Sequence, residues 1–201
     1  MLRYPVMNTT SRAQRPRRLP PEERERTIVE GAVALAREQG LEALTVRAVA
    51  ARVGVTPALV AHYRPVMDEF VADVFGEIVA AERDEVLGDV EVTGDLRENL
   101  QRLIETLLDD SRDDAAIVWA QSWSLGARNE ALGRRVRAEM DLWQSGLEDV
   151  IRRASHGTVD PEPAAWLLLA LVDGMSAHSL VKWAPRDRSE LARRTLSAVL
   201  A

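Results

Sequence analysis

Apolar residues recur at helical spacing along most of this 201-residue chain, and this periodicity constrains the fold more than any other feature. After Glu22, the residues Ile28, Ala32, Leu35 and Ala36 follow at intervals of four, three and one, which places them on one helix face. No segment alternates apolar and polar residues between turn signals, as a half-buried strand does. The sequence therefore predicts an all-α protein with about nine helices.

Glycine, proline and capping residues set the predicted helix ends. The first helix runs from Glu22 to a cap at Gly40. Residues 157–161 are predicted to form a loop, and the proline- and arginine-rich residues 1–20 to be disordered. The later helices are predicted over Thr45–Val53, from Pro57, from after Pro65 to Gly88, and over Leu96–Leu108, Asp114–Leu125, Glu130–Ala154, Pro163–Val181 and Ser189–Leu200.

Charge is distributed unevenly along the chain. The net charge is −6 at pH 7, but residues 1–64 hold 11 arginines against 6 acids, and the remainder carries −11. A basic end on an acidic body is typical of a protein that meets phosphate at one end. An arginine-rich tail can equally be a solvated leader.

Composition also limits the compartment and the chemistry. The chain has no cysteine, which excludes a disulfide framework, a thiolate zinc site and a cysteine nucleophile. The longest apolar stretch, residues 164–172, is too short to span a bilayer, so we expect a cytoplasmic protein without a membrane partner. Because no HExxH, Glu-x-x-His pair, phosphate-binding glycine loop or G-x-S-x-G elbow occurs, we expect no enzyme activity, cofactor or metal site.

The segment from Thr45 to Tyr63 contains two short predicted helices separated by a glycine turn at Gly54. Thr45 and Thr56 are suitable N-caps, and Pro57 fits the first position of the second helix. This is the layout of a helix-turn-helix, whose second helix reads the major groove of DNA. An ordinary helical hairpin has the same pattern, so periodicity alone leaves both interpretations open.

Residues 24–71 resemble the tetracycline-repressor family of transcription regulators. The residues that carry the similarity are Ala32, Gly40, Thr45-Val46-Arg47, Val49-Ala50, Gly54-Val55-Thr56 and His62-Tyr63. The body is most similar to the branch that includes choline-responsive regulators, through Trp119, Trp123, Trp143 and Asp173-Gly174. The resemblance implies a sequence-specific DNA-binding regulator, a repressor that a small-molecule effector releases.

The same resemblance implies three regions and a symmetric assembly. We expect a disordered basic arm over residues 1–20, a helix-turn-helix DNA-binding domain over 21–66, and an effector-binding and dimerisation domain over 67–201. A homodimer would bind a pseudo-palindromic operator in double-stranded DNA.

The DNA-contacting surface is also implied by the resemblance. Arg47 stands where the family reaches a base edge or phosphate, and Tyr63 where a phosphate contact is usual. Met67 replaces the usual lysine, and we expect Arg64 to supply the missing charge. A helical interaction module whose head no longer binds DNA is the alternative. The full predicted set is Thr45, Arg47, Thr56, Pro57, Ala58, Leu59, Ala61, His62, Tyr63 and Arg64.

Aromatic residues at helical spacing predict a ligand pocket in the body. Trp119 and Trp123 share one helix face, and Met140, Trp143 and Leu147 share another. Indole faces attract organic cations, so we expect an apolar or cationic effector. The alternative is that the tryptophans are plain core. The predicted pocket set is Phe75, Trp119, Trp123, Met140, Trp143, Leu147 and His178.

The eighth predicted helix is apolar nearly all round between Trp166 and Val172. Such a helix must bury more than one face, which a second subunit allows. A buried helix of a monomer remains the alternative. The predicted dimer interface is Trp166, Leu169 and Asp173 on this helix and Leu191, Thr195 and Val199 on the last one.

Overall fold

The computed structural model describes residues 20–88, 95–183 and 188–199. Helices occur in these ranges without any strand, and the predicted all-α fold with nine helices is confirmed. The predicted basic arm lies outside the described residues, except for Pro20. The helices are α1 Pro21–Gln39, α2 Val46–Val53, α3 Pro57–Tyr63, α4 Met67–Gly88, α5 Leu96–Leu107, α6 Asp113–Gly126, α7 Glu130–Ser155, α8 Pro161–Leu180 and α9 Arg188–Val199, with short 3₁₀ helices at Leu41–Ala43 and Asp110–Arg112.

Local capping explains where the helices begin and end. Gly40 ends α1 with φ +82°, a conformation that favours glycine, and its N–H donates to the carbonyl of Ala36 at 2.7 Å. The prediction of a loop through residue 161 is wrong, because α8 already begins at Pro161. The carboxylate of Asp160 caps this helix by accepting from the Glu162 N–H at 3.4 Å, and Pro161 occupies a position that needs no donor.

The first hydrophobic core joins the N-terminal helices to the body. It contains buried side chains from α1, α2 and α3 together with α4, α6 and α7. Among the fully buried members are Ile28, Val60, Phe70, Phe75 and Leu132. Helix α4 spans 22 residues and is therefore shared between the three-helix head and the body.

A second hydrophobic core lies between α4, α5, α7, α8 and α9 and includes Leu100, Leu147, Leu168 and Leu196. Trp119 of α6 is half-buried and packs against both cores. Trp119 is therefore a packing contact that the two cores share.

Two close contacts fix α7 against its neighbours. The carboxylate of Glu139 is 2% exposed and forms ion pairs with Arg83 of α4 and, at 3.0 Å, with Arg135. Gly133 packs on the backbone of Gly126, and a Cβ placed at Gly133 would lie 2.6 Å from the Gly126 carbonyl oxygen. Among the described helices, none has both the length and the apolarity needed to cross a bilayer.

Candidate nucleic-acid interface and ligand cavity

Two threonine caps start the paired short helices of the head. The Thr45 hydroxyl accepts from the Ala48 N–H at 3.1 Å, and the Thr56 hydroxyl accepts from the Leu59 N–H at 3.3 Å. Between them Gly54 has left-handed dihedrals of 68° and 37°. The second helix, α3, is thereby held at a fixed angle to α2, with Val60 as its fully buried anchor.

The opposite side of α3 faces solvent. Pro57, Ala58, Ala61 and His62 are exposed, whereas Leu59 and Tyr63 are half-buried. The Tyr63 ring packs against the first core and meets the His62 ring edge-on, with centroids 5.4 Å apart. The structure thus brings the sequence-predicted residues of α3 together on one accessible surface.

Arg47 is exposed at the start of α2 and forms no ion pair with any residue in the described ranges. Three other arginines of the head are paired: Arg37 with Asp114 at 2.7 Å, Arg52 with Glu38 at 2.5 Å, and Arg64 as described below. Arg47 is therefore available to an external acceptor.

Arg64, which we expect from the sequence to supply the charge that Met67 lacks, already has partners within the protein. Its guanidinium pairs with Glu25 at 3.0 Å and Asp73 at 3.1 Å and lies 5.1 Å from the centroid of the Phe70 ring. These contacts tie the end of α3 to α1 and α4. A DNA phosphate would have to compete with two carboxylates for it, and Met67 packs against the first core instead of replacing that charge.

The folded head carries no net charge. Residues 20–66 contain six arginines and six glutamates, which cancel, whereas residues 1–19 contain five arginines and no acid. The whole +5 of the N-terminal region therefore belongs to the arm. Counterion release depends on positive charges at the interface, so we expect the arm to add to the electrostatic part of any DNA affinity beside Arg47.

A cavity lies among α4, α6, α7 and α8. Its cavity volume is about 60 Å³, and it opens to solvent at its mouth. Four predicted pocket residues line it: Trp119, Trp123, Met140 and Trp143.

The other predicted pocket residues lie elsewhere. Phe75 is fully buried behind Trp119, with the two rings edge-to-face at 5.1 Å. Leu147 is fully buried in the second core, and His178 is exposed and stacks edge-on against Trp183.

Three charged residues that the pocket prediction omitted, Glu82, Arg112 and Asp173, also line the cavity. Asp173 and Leu169, which the sequence assigned to the dimer face, both border the cavity. Their spacing of four along α8 is the signal that could have identified this lining face.

The two carboxylates of the cavity have different surroundings. One Glu82 oxygen accepts from the Trp119 indole N–H at 3.0 Å, and the other lies 3.8 Å from the Arg112 guanidinium. Burial nevertheless raises the pKa of Glu82. Asp173 accepts no hydrogen bond from any described residue, and burial, with the charge of Glu82, raises its pKa to about 7.

The cavity is therefore aromatic and acidic. Among the described residues that line it, the one arginine, Arg112, is already paired with Glu85 at 2.7 Å as well as facing Glu82. The indole N–H of Trp143 has no acceptor in the described structure. Such a site suits an organic cation held by indole faces and a carboxylate.

The predicted dimer residues are dispersed in the protomer. Trp166 is 67% exposed and lies on α8 beside the exposed Leu167 and Leu171. By contrast, Thr195 of α9 is buried, and Leu191 and Val199 are half-buried.

Comparisons with known proteins agree with this architecture. Residues 28–74 match the bacterial regulatory proteins of the tetR family, and residues 96–201 match the C-terminal domain of BetI-type transcriptional repressors. The HTH-type transcriptional regulator BetI of Rhizobium meliloti (strain 1021) is 25% identical over 164 residues, covering 81% of this chain and 80% of that protein.

Solved structures share the fold. A transcriptional regulator from Rhodococcus sp. Rha1 is 27% identical with a TM-score of 0.71, covering 88% of this chain and 95% of that one. A transcriptional regulator from Saccharomonospora viridis, in complex with choline, is 24% identical with the same TM-score and coverages. The resemblance found in residues 24–71 is thus confirmed. This chain belongs to the tetR family, with a C-terminal domain of BetI type, and is a DNA-binding transcription regulator.

Proposed function

We propose that this protein is a cytoplasmic homodimeric repressor that binds a pseudo-palindromic operator and is released by a small organic cation. The observation that carries the proposal is the combination in one chain of an exposed α3 surface and an aromatic, acidic cavity. It acts by binding and not by catalysis. We assign DNA binding to residues 21–66 and effector binding and dimerisation to residues 67–201.

The side chains of α3 limit how an operator can be read. Ala58 and Ala61 offer methyl contacts to thymine, and His62 and Tyr63 offer single hydrogen bonds. Arg47, which forms no ion pair with a described residue, supports bidentate readout of guanine or a phosphate contact. DNA shape must therefore contribute to specificity at positions that no side chain reads.

An exposed apolar strip on α8 supports dimerisation. Trp166, Leu167 and Leu171 are 67%, 47% and 38% exposed, a combination that favours burial against a second copy. A twofold interface there would present two recognition helices to half-sites roughly 34–36 Å apart, or a multiple of that distance.

The cavity chemistry supports a cationic effector. The Saccharomonospora viridis regulator was solved with choline, a quaternary ammonium. The three indoles and two carboxylates of this cavity suit the same class of ligand.

Two helices connect the cavity to the head. Helix α4 carries Phe70 in the first core and Glu82 at the cavity. Helix α6 carries Trp119 and contacts α1 through the Asp114–Arg37 ion pair. We propose that ligand binding displaces α4 and changes the spacing of the two heads. A switch from mostly competent to mostly incompetent needs a differential affinity of about 5 kcal/mol.

Selection from random DNA duplexes at two salt concentrations tests the proposal. Wild type should enrich a pseudo-palindrome, and Arg47→Ala should abolish that enrichment. Arg137→Ala, which removes an exposed arginine from the body, is the matched control and should leave it unchanged. Choline or benzyltrimethylammonium should then release the selected operator.

Other outcomes would contradict separate parts of the proposal. DNA binding without sequence preference would favour a helical ligand-binding or interaction protein whose head no longer binds DNA specifically. A Trp166→Glu variant that remains dimeric by light scattering would contradict the α8 interface. Operator binding that no cation weakens would contradict the effector class alone.

A further inference from the structure

The two acids of the cavity face it from different helices and are unequally compensated. Glu82 of α4 has an indole donor at 3.0 Å and a guanidinium at 3.8 Å. Asp173 of α8 has neither a donor nor a counter-ion among the described residues, although it lines the same cavity. The ionised form of such a carboxylate has an unfavourable free energy until a cation binds beside it.

Among the described side chains that face Asp173 from the surrounding helices, none is an unpaired cation. Helix α4 contributes the acid Glu82, and the segment before α6 contributes Arg112, which is shared between Glu82 and Glu85. Helices α5, α6 and α7 contribute only uncharged side chains to the lining, and α8 itself adds the hydroxyl of Ser176. No histidine lines the cavity in the described structure, since His178 is exposed against Trp183.

We propose that this cavity exchanges a proton for its ligand: the empty site holds a proton on Asp173, and an organic cation that binds there displaces it. The inference rests on the proposed effector class and adds its regulation by pH. In the exchange the O–H bond of the Asp173 carboxyl breaks, the proton passes to water at the cavity mouth, and the cation becomes the counter-ion. The net charge of the occupied site changes little.

The direction of the pH dependence follows from the acid's surroundings. Burial and the neighbouring charge of Glu82 raise the pKa of Asp173 to about 7, so the carboxyl is neutral below that pH and charged above it. Since the cation needs the charged form, its affinity should fall about tenfold between pH 8 and pH 6. A quaternary ammonium keeps its own charge over this range, so the dependence must come from the protein.

Isothermal titration calorimetry in two buffers of different ionisation enthalpy counts the released protons. Choline and benzyltrimethylammonium are the probes, and 3,3-dimethylbutan-1-ol, the uncharged isostere of choline, is the ligand control. For wild type at pH 7, about half a proton should be released per bound cation, falling towards zero at pH 8.5. The uncharged isostere should release none.

Asp173→Asn should remove both the proton release and the pH dependence of cation affinity. Asp141→Asn makes the same chemical change at an exposed residue of α7 and should behave as wild type. Cation binding without proton release, or release that persists in Asp173→Asn, would overturn the exchange and leave the effector class intact. Failure of both cations to bind at any pH between 6 and 8.5 would overturn the effector class and the exchange with it.

Discussion

Replacing Asp173 with asparagine should stabilise the free protein at alkaline pH. Because Asp173 accepts no hydrogen bond from a described residue, the substitution removes a half-buried charge without breaking a hydrogen bond in the described structure. The pKa rises from 3.8 to about 7, roughly three pH units, and each unit corresponds to about 1.4 kcal/mol. Allowing for water in the open cavity, we expect a gain on the order of 2–4 kcal/mol in the free energy of unfolding at pH 8.

The sign of this effect depends on pH. The folded protein binds the Asp173 proton more tightly than the unfolded chain does. The free energy of unfolding of wild type therefore falls as pH rises from about 4 to about 7. Asp173→Asn should not show that loss. Its advantage should therefore be large at pH 8 and shrink towards pH 4.

Urea unfolding at several pH values checks the prediction, with both proteins at the same protomer concentration because dimerisation contributes to stability. Asp141→Asn again serves as the exposed control. An advantage of Asp173→Asn that is equal at pH 4.5 and pH 8 would refute the reasoning, since it could not arise from the carboxyl's ionisation.

Three further changes test the packing of the fold. Glu139→Ala leaves the Arg83 guanidinium without its buried partner and should lower the free energy of unfolding by about 3–5 kcal/mol; the double change Glu139→Leu with Arg83→Met should recover most of the loss, and no recovery would contradict the ion-pair explanation. Gly133→Ala forces a methyl group against the Gly126 carbonyl and should cost about 1–3 kcal/mol, so an unchanged melting temperature would mean that α6 and α7 can separate freely. Thr56→Ala removes the cap of α3 and should cost about 1 kcal/mol, whereas Thr56→Ser should retain most of the stability; equal losses would exclude the hydroxyl as the cause.

Much of the fold was predictable because capping residues close in the sequence determine where its helices begin and end. Gly40, Thr45, Gly54 and Thr56 mark ends that the structure has at the expected residues. The start of α8 was misplaced because Pro161 is compatible both with a loop and with the first turn of a helix, and only the Asp160 cap separates the two.

The candidate site was only partly predictable. Helical spacing grouped Trp119 with Trp123, but periodicity cannot show which buried face borders a void and which is core, so Leu147 was misplaced among the cavity residues. Glu82 was missed because an acid in a long helix normally indicates a solvated face. Arg64 looked free in the sequence because its partners are in α1 and α4.

The position of Trp119 bears on which parts of the protein unfold together. Amide hydrogen exchange detects groups of residues that unfold cooperatively, and residues that share buried contacts tend to belong to the same group. Since Trp119 packs against both hydrophobic cores and also borders the cavity, a bound ligand adds contacts at the place where the cores meet. Ligand should therefore slow exchange in α1 and α2 as well as in the body, making the head and body a single cooperative unit.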